Sequence, residues 1–107
     1  IRGSEHDQHH AAYSERSGVA MSNKTNYQSV ATEIVMEVEY ARYVLGNGPM
    51  ASAHEGYAVI LEELDELWEE VRRHRSPANI QAMRDEAVQV AAMALAFIVE
   101  VCDKEPA

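Results

Sequence analysis

The chain has 107 residues, of which 47% are hydrophobic and 25% charged, and it carries a formal net charge of −9 at pH 7. This length allows one domain with one modest core, and the acidic balance disfavours nonspecific binding to nucleic acid or anionic membranes. The longest apolar run, residues 87–99, is shorter than the roughly 18 residues that a membrane-spanning helix needs. A single cysteine, Cys102, excludes an internal disulfide and favours a reducing compartment, so we expect a cytoplasmic protein.

Residues 1–20 differ in composition from the rest of the chain. They are rich in Ser and Gly, show almost no apolar periodicity, and end just before a methionine. They also hold three of the five histidines: His6, His9 and His10. We interpret this segment as a flexible leader added for expression, and residues 21–107 as the folded domain. A metal site built from the three histidines is the alternative, but a flexible leader is a poor scaffold for one.

The first predicted helix spans about residues 26–45. Thr25, followed three residues later by Gln28, resembles a capping box, which is typical of a helix start. Apolar residues then recur at spacings of three and four: Tyr27, Ala31, Ile34, Val38, Ala41 and Leu45. The GNGP sequence at 46–49 should end this helix, because Gly46 can adopt the left-handed conformation and the proline cannot continue a helix.

A second capping box, formed by Ser52 and Glu55, predicts a helix that begins near Ala53. Its apolar residues fall within one arc of about 120° when each residue turns the helix by about 100°. We expect this arc to pack in the core: Tyr57, Ile60, Leu61, Leu64, Leu67, Trp68 and Val71. The cations at 72–75 lie where the helix dipole favours positive charge, and they mark the end of the helix.

Ser76 and Pro77 predict the start of a third helix, which runs to about Asp103, either unbroken or interrupted between residues 79 and 83. Between residues 87 and 99 it is apolar almost all round, so we expect burial on more than one side. Two other helices cannot easily surround it, which favours a homodimer or tetramer with a shared core. Loose packing within one chain is the alternative. No β pattern is present, so the predicted fold class is all-α with three main helices per chain.

The sequence LEELDELWEE at 61–70 places six carboxylates in ten positions. Glu63 and Glu66 lie one turn apart beside the apolar arc, and Glu86 and Gln89 have the same spacing on the third helix. Two such pairs on antiparallel neighbours would surround a small volume with oxygen ligands, which suit Mg²⁺ or Mn²⁺ rather than zinc. A bound cation would also offset the repulsion along the second helix. The alternative is a solvated acidic helix face.

The E-E-x-x-E sequence formed by Glu62, Glu63 and Glu66, followed by Glu86, resembles the MazG-like all-α nucleoside triphosphate pyrophosphohydrolase family. The flanking sequences HEGYAVILEELDELWEEV and MRDEAVQVAAMALAFI are similar to the two core helices of that family, and the resemblance extends over about residues 27–103. It implies a MazG-like helical bundle completed by homo-oligomerisation. It also implies Mg²⁺-dependent cleavage between the α- and β-phosphates of a nucleotide, which gives a monophosphate and pyrophosphate.

The resemblance implies a role for each acidic residue. Three would be metal ligands: Glu63, Glu66 and Glu86. Glu62 would be a supporting carboxylate that joins Glu63 and Glu66 in the catalytic group. Gln89 stands at the fourth ligand position, where the family pattern E-x-x-D has an aspartate. Its carboxamide oxygen can coordinate a metal but adds no charge, so Gln89→Asp should tighten binding. Asp85 is an alternative fourth ligand, although it projects about 100° away from Glu86.

Residues for substrate contact are harder to place. Family members often carry basic residues beyond the last core helix that bind phosphates, whereas this sequence has only Lys104 there. The candidates for phosphate contact are therefore arginines elsewhere: Arg72, Arg73, Arg75 and Arg84. The alternative role for each of them is solvation of a helix end or pairing with a glutamate, as for Glu69 with Arg73. Trp68 could stack on a base, although its place in the apolar arc favours core packing.

Two functions fit these observations. The first is a Mg²⁺-dependent nucleotide pyrophosphohydrolase of the house-cleaning type, which the E-E-x-x-E sequence and Glu86 favour. The second is a non-catalytic helical oligomer that keeps the scaffold as a binding or regulatory module, which Gln89 favours. Neither interpretation needs a nucleophilic side chain, and Cys102 has no histidine near it in the sequence.

Overall fold

The computed structural model describes residues 26–104, which form three α-helices and contain no strand. We label them α1 (Tyr27–Glu39), α2 (Ala53–Val71) and α3 (Pro77–Phe97). α1 and α3 each continue into one π-helical turn, at Tyr40–Val44 and Ile98–Cys102. The all-α prediction is confirmed for this part of the chain. The predicted leader at 1–20, with its three histidines, lies outside the described residues. None of the helices in this range is long and apolar enough to cross a lipid bilayer.

The chain divides into two units between Glu33 and Ile34, and the described part of the first unit is the opening of α1. Asn26 caps this helix: its Oδ1 accepts a hydrogen bond from the Ser29 backbone N–H at 2.9 Å, and the Ser29 Oγ accepts one from the Asn26 N–H at 3.0 Å. The reciprocal pair satisfies two backbone donors that a helix start leaves exposed. The sequence predicted Thr25 and Gln28 for this role, and Thr25 lies outside the described residues.

In the second unit, the first helix ends differently from the prediction. The predicted α-helix to residue 45 gives way to a π-helical turn, in which the Leu45 N–H donates to the Tyr40 carbonyl at 3.0 Å. Gly46 comes next with a φ of +76°, the left-handed conformation that the GNGP sequence predicted. The Asn47 N–H then donates to the Ala41 carbonyl at 3.0 Å and satisfies a carbonyl at the helix end.

α2 and α3 begin at the predicted residues. The Ser52 Oγ accepts a hydrogen bond from the Glu55 N–H, and the Ser76 Oγ accepts one from the Asn79 N–H, each at 3.1 Å. Pro77 stands in the first turn of α3, where its missing N–H is of no consequence. α3 runs without interruption from Pro77 to Phe97, so the break considered between residues 79 and 83 is absent.

The connection between α2 and α3 is short and held by side chains. Arg75 donates hydrogen bonds to the Val71 carbonyl and to Asn79 Oδ1, and Asn79 Nδ2 donates to the Glu70 carbonyl at 2.9 Å. These bonds satisfy carbonyls that the end of α2 would otherwise leave exposed. Arg75 therefore has the helix-end role that the sequence offered as the alternative to phosphate contact.

The core of the second unit is small and lies between α2 and α3. Its buried members are Met50, Ala92, Met93 and Ala96. Partly buried side chains pack around them: Ile34, Val38, Val59, Ile60, Phe97 and Val101. Gly56 permits a close approach of the two helices, because a Cβ at that position would lie 2.5 Å from Phe97 Cδ2.

Glu100 joins three parts of the second unit. Arg42 donates two hydrogen bonds to its carboxylate, from Nε to Oε2 at 2.8 Å and from Nη2 to Oε1 at 2.9 Å. The Met50 N–H donates a third, to Oε1 at 3.0 Å. The Arg42 hydrogen bonds hold the pKa of Glu100 below its ordinary value of 4.5, although partial burial opposes them. We call this group of three residues the Glu100 clamp.

The predicted core arc of α2 is only partly buried. Four of its large side chains are exposed in the single chain: Tyr57, Leu61, Leu64 and Trp68. Trp68 is 55% exposed, so the prediction that it packs in the core is wrong for one chain alone. α3 is also not enclosed on all sides, since Ile98 and Val99 in its π-helical continuation are exposed.

Candidate metal centre

The three glutamates predicted to bind a metal converge in the structure. Glu63 and Glu66 come from α2 and Glu86 from α3, and one carboxylate oxygen of each lies within 4.8 Å of those of the other two. Glu63 is only 7% exposed, and Glu66 and Glu86 are half-buried. We call these three residues the acidic cluster. Its dimensions fit a divalent cation, because oxygen ligands on opposite sides of one ion are about 4–5 Å apart.

The helices position the acidic cluster by simple geometry. Glu63 and Glu66 are three residues apart, so their side chains lie on neighbouring parts of one α2 face. α2 and α3 pack against each other after a connection of a few residues, which makes them antiparallel neighbours and brings Glu86 to the same face. The capping residues Ser52 and Ser76 set where each helix begins.

Electrostatics within the acidic cluster oppose its formation. Ionised carboxylates 4.8 Å apart repel by about 1–4 kcal/mol per pair, depending on the local dielectric constant. The Oε1 atoms of Glu63 and Glu86 are buried and accept no hydrogen bond, while both residues take part in other interactions of the chain. Coordination to a cation is one arrangement that satisfies a buried carboxylate oxygen and offsets the repulsion.

Gln89, the predicted fourth ligand, lies one turn after Glu86 on α3 and is 6% exposed. Its Nε2 donates a hydrogen bond to Oε2 of Glu37, which projects from α1 and is itself only 2% exposed. Glu37 was not among the site residues predicted from the sequence. A signal was present, because Glu37 lies three residues after Ile34 and four before Ala41, within the apolar stripe of the first helix.

Three other predicted residues lie on the surface of α2 or at its end. Glu62 is exposed on α2 beside Glu63. The Arg72 Nε lies 3.9 Å from a Glu69 oxygen, and Arg73 Nη1 lies 3.9 Å from a Glu70 oxygen; both arginine side chains are well exposed. Such pairs contribute little to stability. The two arginines lie about 9 and 10.5 Å beyond Glu66 along the helix axis, and they pair with Glu69 and Glu70 rather than with the acidic cluster.

Trp68 and Arg84 have different surroundings. Trp68 comes two residues after Glu66, which turns its side chain about 160° away from that of Glu66 around α2. Arg84 is half-buried on α3, two residues before Glu86, and it takes part in interactions of the chain. The predicted roles of both residues in substrate binding stay predictions.

The chemistry of this site rests on hard oxygen donors. Three carboxylates bring a formal charge of −3 to one point, and Gln89 adds a neutral carboxamide one turn away. Mg²⁺, Mn²⁺ and Ca²⁺ all accept such donors, whereas zinc prefers nitrogen and sulfur. Comparisons of the chain with protein-family models, curated protein sequences and solved structures found no match.

Proposed function

We propose that this chain is a Mg²⁺-dependent nucleotide pyrophosphohydrolase of the house-cleaning type. It would cleave a nucleoside triphosphate to the monophosphate and pyrophosphate. The observation that carries the proposal is the convergence of Glu63, Glu66 and Glu86 to within 4.8 Å. The resemblance of the E-E-x-x-E sequence to the MazG-like family supports the reaction class, because convergence alone supports only cation binding.

The acidic cluster would hold Mg²⁺, with Mn²⁺ as the alternative ion. When bound, such an ion withdraws charge from phosphate oxygens and lowers the pKa of a nearby water. In the reaction, the water oxygen forms a bond to the α-phosphorus as the bond from that phosphorus to the bridging oxygen breaks. Pyrophosphate leaves with the bonding electron pair, and the proton of the water passes to a carboxylate or to solvent. Glu62, beside Glu63, is the proposed supporting carboxylate.

The proposed contacts to the substrate come from cations and one aromatic ring. Arg72, Arg73 and Arg84 are the candidates for phosphate binding, and Trp68 is the candidate for stacking on the base. The ion pairs of Arg72 and Arg73 are long and both arginine side chains are exposed, so a phosphate can replace their glutamate partners at little energetic cost. Trp68 is accessible for stacking because more than half of its surface is exposed.

The proposal includes a homo-oligomer, a dimer or tetramer, with α2 in the interface. The four large exposed apolar residues of α2 have spacings of four, three and four, which is the pattern of a two-helix seam: Tyr57, Leu61, Leu64 and Trp68. Two copies packed antiparallel about a twofold axis would set Tyr57 opposite Trp68 and Leu61 opposite Leu64. The expected interface at α3 stays a prediction, supported by exposed Ile98 and Val99.

Light scattering tests the oligomer. Wild type should have the mass of two or more chains, and Leu61→Glu with Leu64→Glu should reduce it to one. Ile80→Glu is the matched control, because Ile80 is also exposed but lies on α3, outside the α2 seam. A wild-type mass of one chain would overturn this part of the proposal.

Pyrophosphate release across a panel of nucleoside triphosphates, with Mg²⁺ and with Mn²⁺, tests the activity. Glu63→Gln, Glu66→Gln and Glu86→Gln should each lower the rate at least about tenfold, because even partners outside the ligand shell change metal-site function by that factor. Glu69→Gln is the control, since it removes one charge from the same helix at an exposed position. Equal rates for Glu63→Gln and Glu69→Gln would contradict the proposal.

The second candidate function predicts a different result in the same experiment. A binding or regulatory oligomer would bind the cation and a nucleotide but release no pyrophosphate from any member of the panel. The neutral carboxamide of Gln89, in place of the family aspartate, is the observation that favours this outcome.

A further inference from the structure

The hydrogen bond between Gln89 and Glu37 connects α1 to the candidate metal centre. Glu37 is the most deeply buried of the large side chains described, at 2% exposed, and it lies on α1 rather than on the two helices of the acidic cluster. Its Oε2 accepts a hydrogen bond from Nε2 of Gln89, which is also buried. Gln89 in turn lies one helical turn after the cluster residue Glu86. A buried carboxylate thus contacts the residue at the fourth ligand position.

We infer that Glu37 is a positioning residue of the metal site and acts through Gln89; this inference rests on the proposed metal binding. A carboxamide has a donor branch and an acceptor branch on one carbon. Since Glu37 takes a hydrogen bond from the nitrogen, the rotation of the amide is set and its oxygen is turned away from Glu37. The oxygen is the atom that can coordinate a hard cation, and Glu37 keeps it available for that role.

The same contact explains why position 89 carries a neutral side chain. An aspartate or glutamate there would place a second carboxylate against the buried Glu37, where it could not donate the hydrogen bond and would repel the first. A carboxamide removes the conflict and adds a hydrogen bond. The negative charge that the family pattern has at the fourth ligand position is, in this chain, carried by residue 37 on α1.

This arrangement reverses an expectation from the sequence. The sequence alone predicts that Gln89→Asp tightens metal binding, because a carboxylate replaces a neutral ligand. With Glu37 in contact, a carboxylate at position 89 should instead destabilise the metal-free protein and weaken binding, because the side chain can no longer donate to Glu37. We expect a charge at position 89 to be better tolerated when the charge at position 37 is removed.

Four variants test the inference: Glu37→Gln, Gln89→Glu, the exchange Glu37→Gln with Gln89→Glu, and Glu39→Gln. The last is the matched control, because Glu39 lies two residues after Glu37 on the same helix and is exposed. The two readouts are Mn²⁺ affinity, measured by calorimetric titration, and the melting temperature in a chelator.

Glu37→Gln should lower the Mn²⁺ affinity by about tenfold or more, as expected for the partner of a metal ligand, while Glu39→Gln leaves it unchanged. Gln89→Glu should lower both the affinity and the melting temperature. The exchange variant should regain most of both, because it again pairs one carboxylate with one carboxamide. It keeps the test decisive if Glu37→Gln fails to fold.

Equal Mn²⁺ affinities for Glu37→Gln and Glu39→Gln would show that Glu37 serves only the fold, and so would an exchange variant no better than Gln89→Glu. A wild-type chain that binds no Mn²⁺ at millimolar concentration would overturn the metal site of the proposed function and this inference together. A chain that binds Mn²⁺ but releases no pyrophosphate would overturn the hydrolase alone, and the affinities of Glu37→Gln and Glu39→Gln would still decide the role of Glu37.

Discussion

The helix α3 and its continuation carry glutamates in two opposite settings. At the C-terminal end, Glu100 receives two hydrogen bonds from Arg42 and one from the backbone of Met50. Near the middle of α3, Glu86 approaches Glu63 and Glu66, which carry charge of the same sign. The first arrangement is what a carboxylate requires in order to stabilise a fold. The second brings like charges together, an arrangement that is typical of sites that bind a cation.

The largest expected change in stability comes from a mutation that removes the Arg42 hydrogen bonds of the Glu100 clamp. Arg42→Met should lower the free energy of unfolding by about 2–3 kcal/mol, because it leaves a largely buried carboxylate without its charged hydrogen-bond donor. The side chains of Arg42 and Glu100 are only 13% and 14% exposed, so solvent screens the pair weakly. Denaturant unfolding measures the change.

Two controls accompany Arg42→Met. Arg72→Met removes an arginine whose ion pair is long and exposed, and it should change stability by less than about 1 kcal/mol. Arg42→Met with Glu100→Met should recover part of the loss, because no charge is then left buried. Equal effects of Arg42→Met and Arg72→Met would show that the clamp does not stabilise the fold.

A smaller change, an increase in stability rather than a decrease, is expected from a mutation in the acidic cluster. Glu63→Gln should raise the stability of the metal-free protein by roughly 0.5–1 kcal/mol, because it removes one of three converging charges. It should also abolish the rise in melting temperature that we expect Mn²⁺ to give wild type. The measurement is thermal unfolding in a chelator and in Mn²⁺, with Glu69→Gln as the control. A metal-free Glu63→Gln protein less stable than wild type would show that the interactions of Glu63 within the chain outweigh the repulsion.

The smallest predicted change is the pH dependence of the stability that the Glu100 clamp contributes. Because the pKa of Glu100 is lowered in the folded chain, its contribution to stability is fully present above its ordinary value of 4.5. It is lost as the pH falls through the lower, folded-state pKa. The difference in unfolding free energy between wild type and Glu100→Gln should therefore be constant near neutral pH and shrink below pH 4.5. A difference that grew on acidification would contradict the assigned cause.

Local signals in the sequence predicted the starts of α2 and α3 well. Ser52 and Ser76 cap the helices that they were expected to cap, because a cap depends on residues within one turn. Glu63 and Glu66 were expected to share a face because of the helical period. Glu86 was placed beside them by assuming that α2 and α3 pack as antiparallel neighbours, and the family resemblance named all three as ligands. Only the two caps needed no knowledge of how the helices pack.

Features that depend on packing between helices were missed. The burial of Glu37 was not predicted from the sequence. An acidic residue within an apolar stripe is buried only where another element supplies a hydrogen-bond donor, in this case Gln89. The exposure of Trp68 was missed because an apolar arc shows which side of α2 is to be covered, but not whether the same chain covers it.

The two π-helical turns have a consequence for how this chain tolerates changes in length. Arg42 lies in the turn Tyr40–Val44 and Glu100 in the turn Ile98–Cys102, so both partners of the clamp are displayed by the widened part of a helix. A π-turn accommodates one residue more than the α-helical hydrogen-bond pattern does, and each residue rotates the later side chains by about 100°. Loss of one residue just before Arg42 or just before Glu100 in its turn would rotate that side chain by about 100° away from its partner. Single-residue deletions should therefore be far more harmful in these two turns than in the exposed GNGP segment between them.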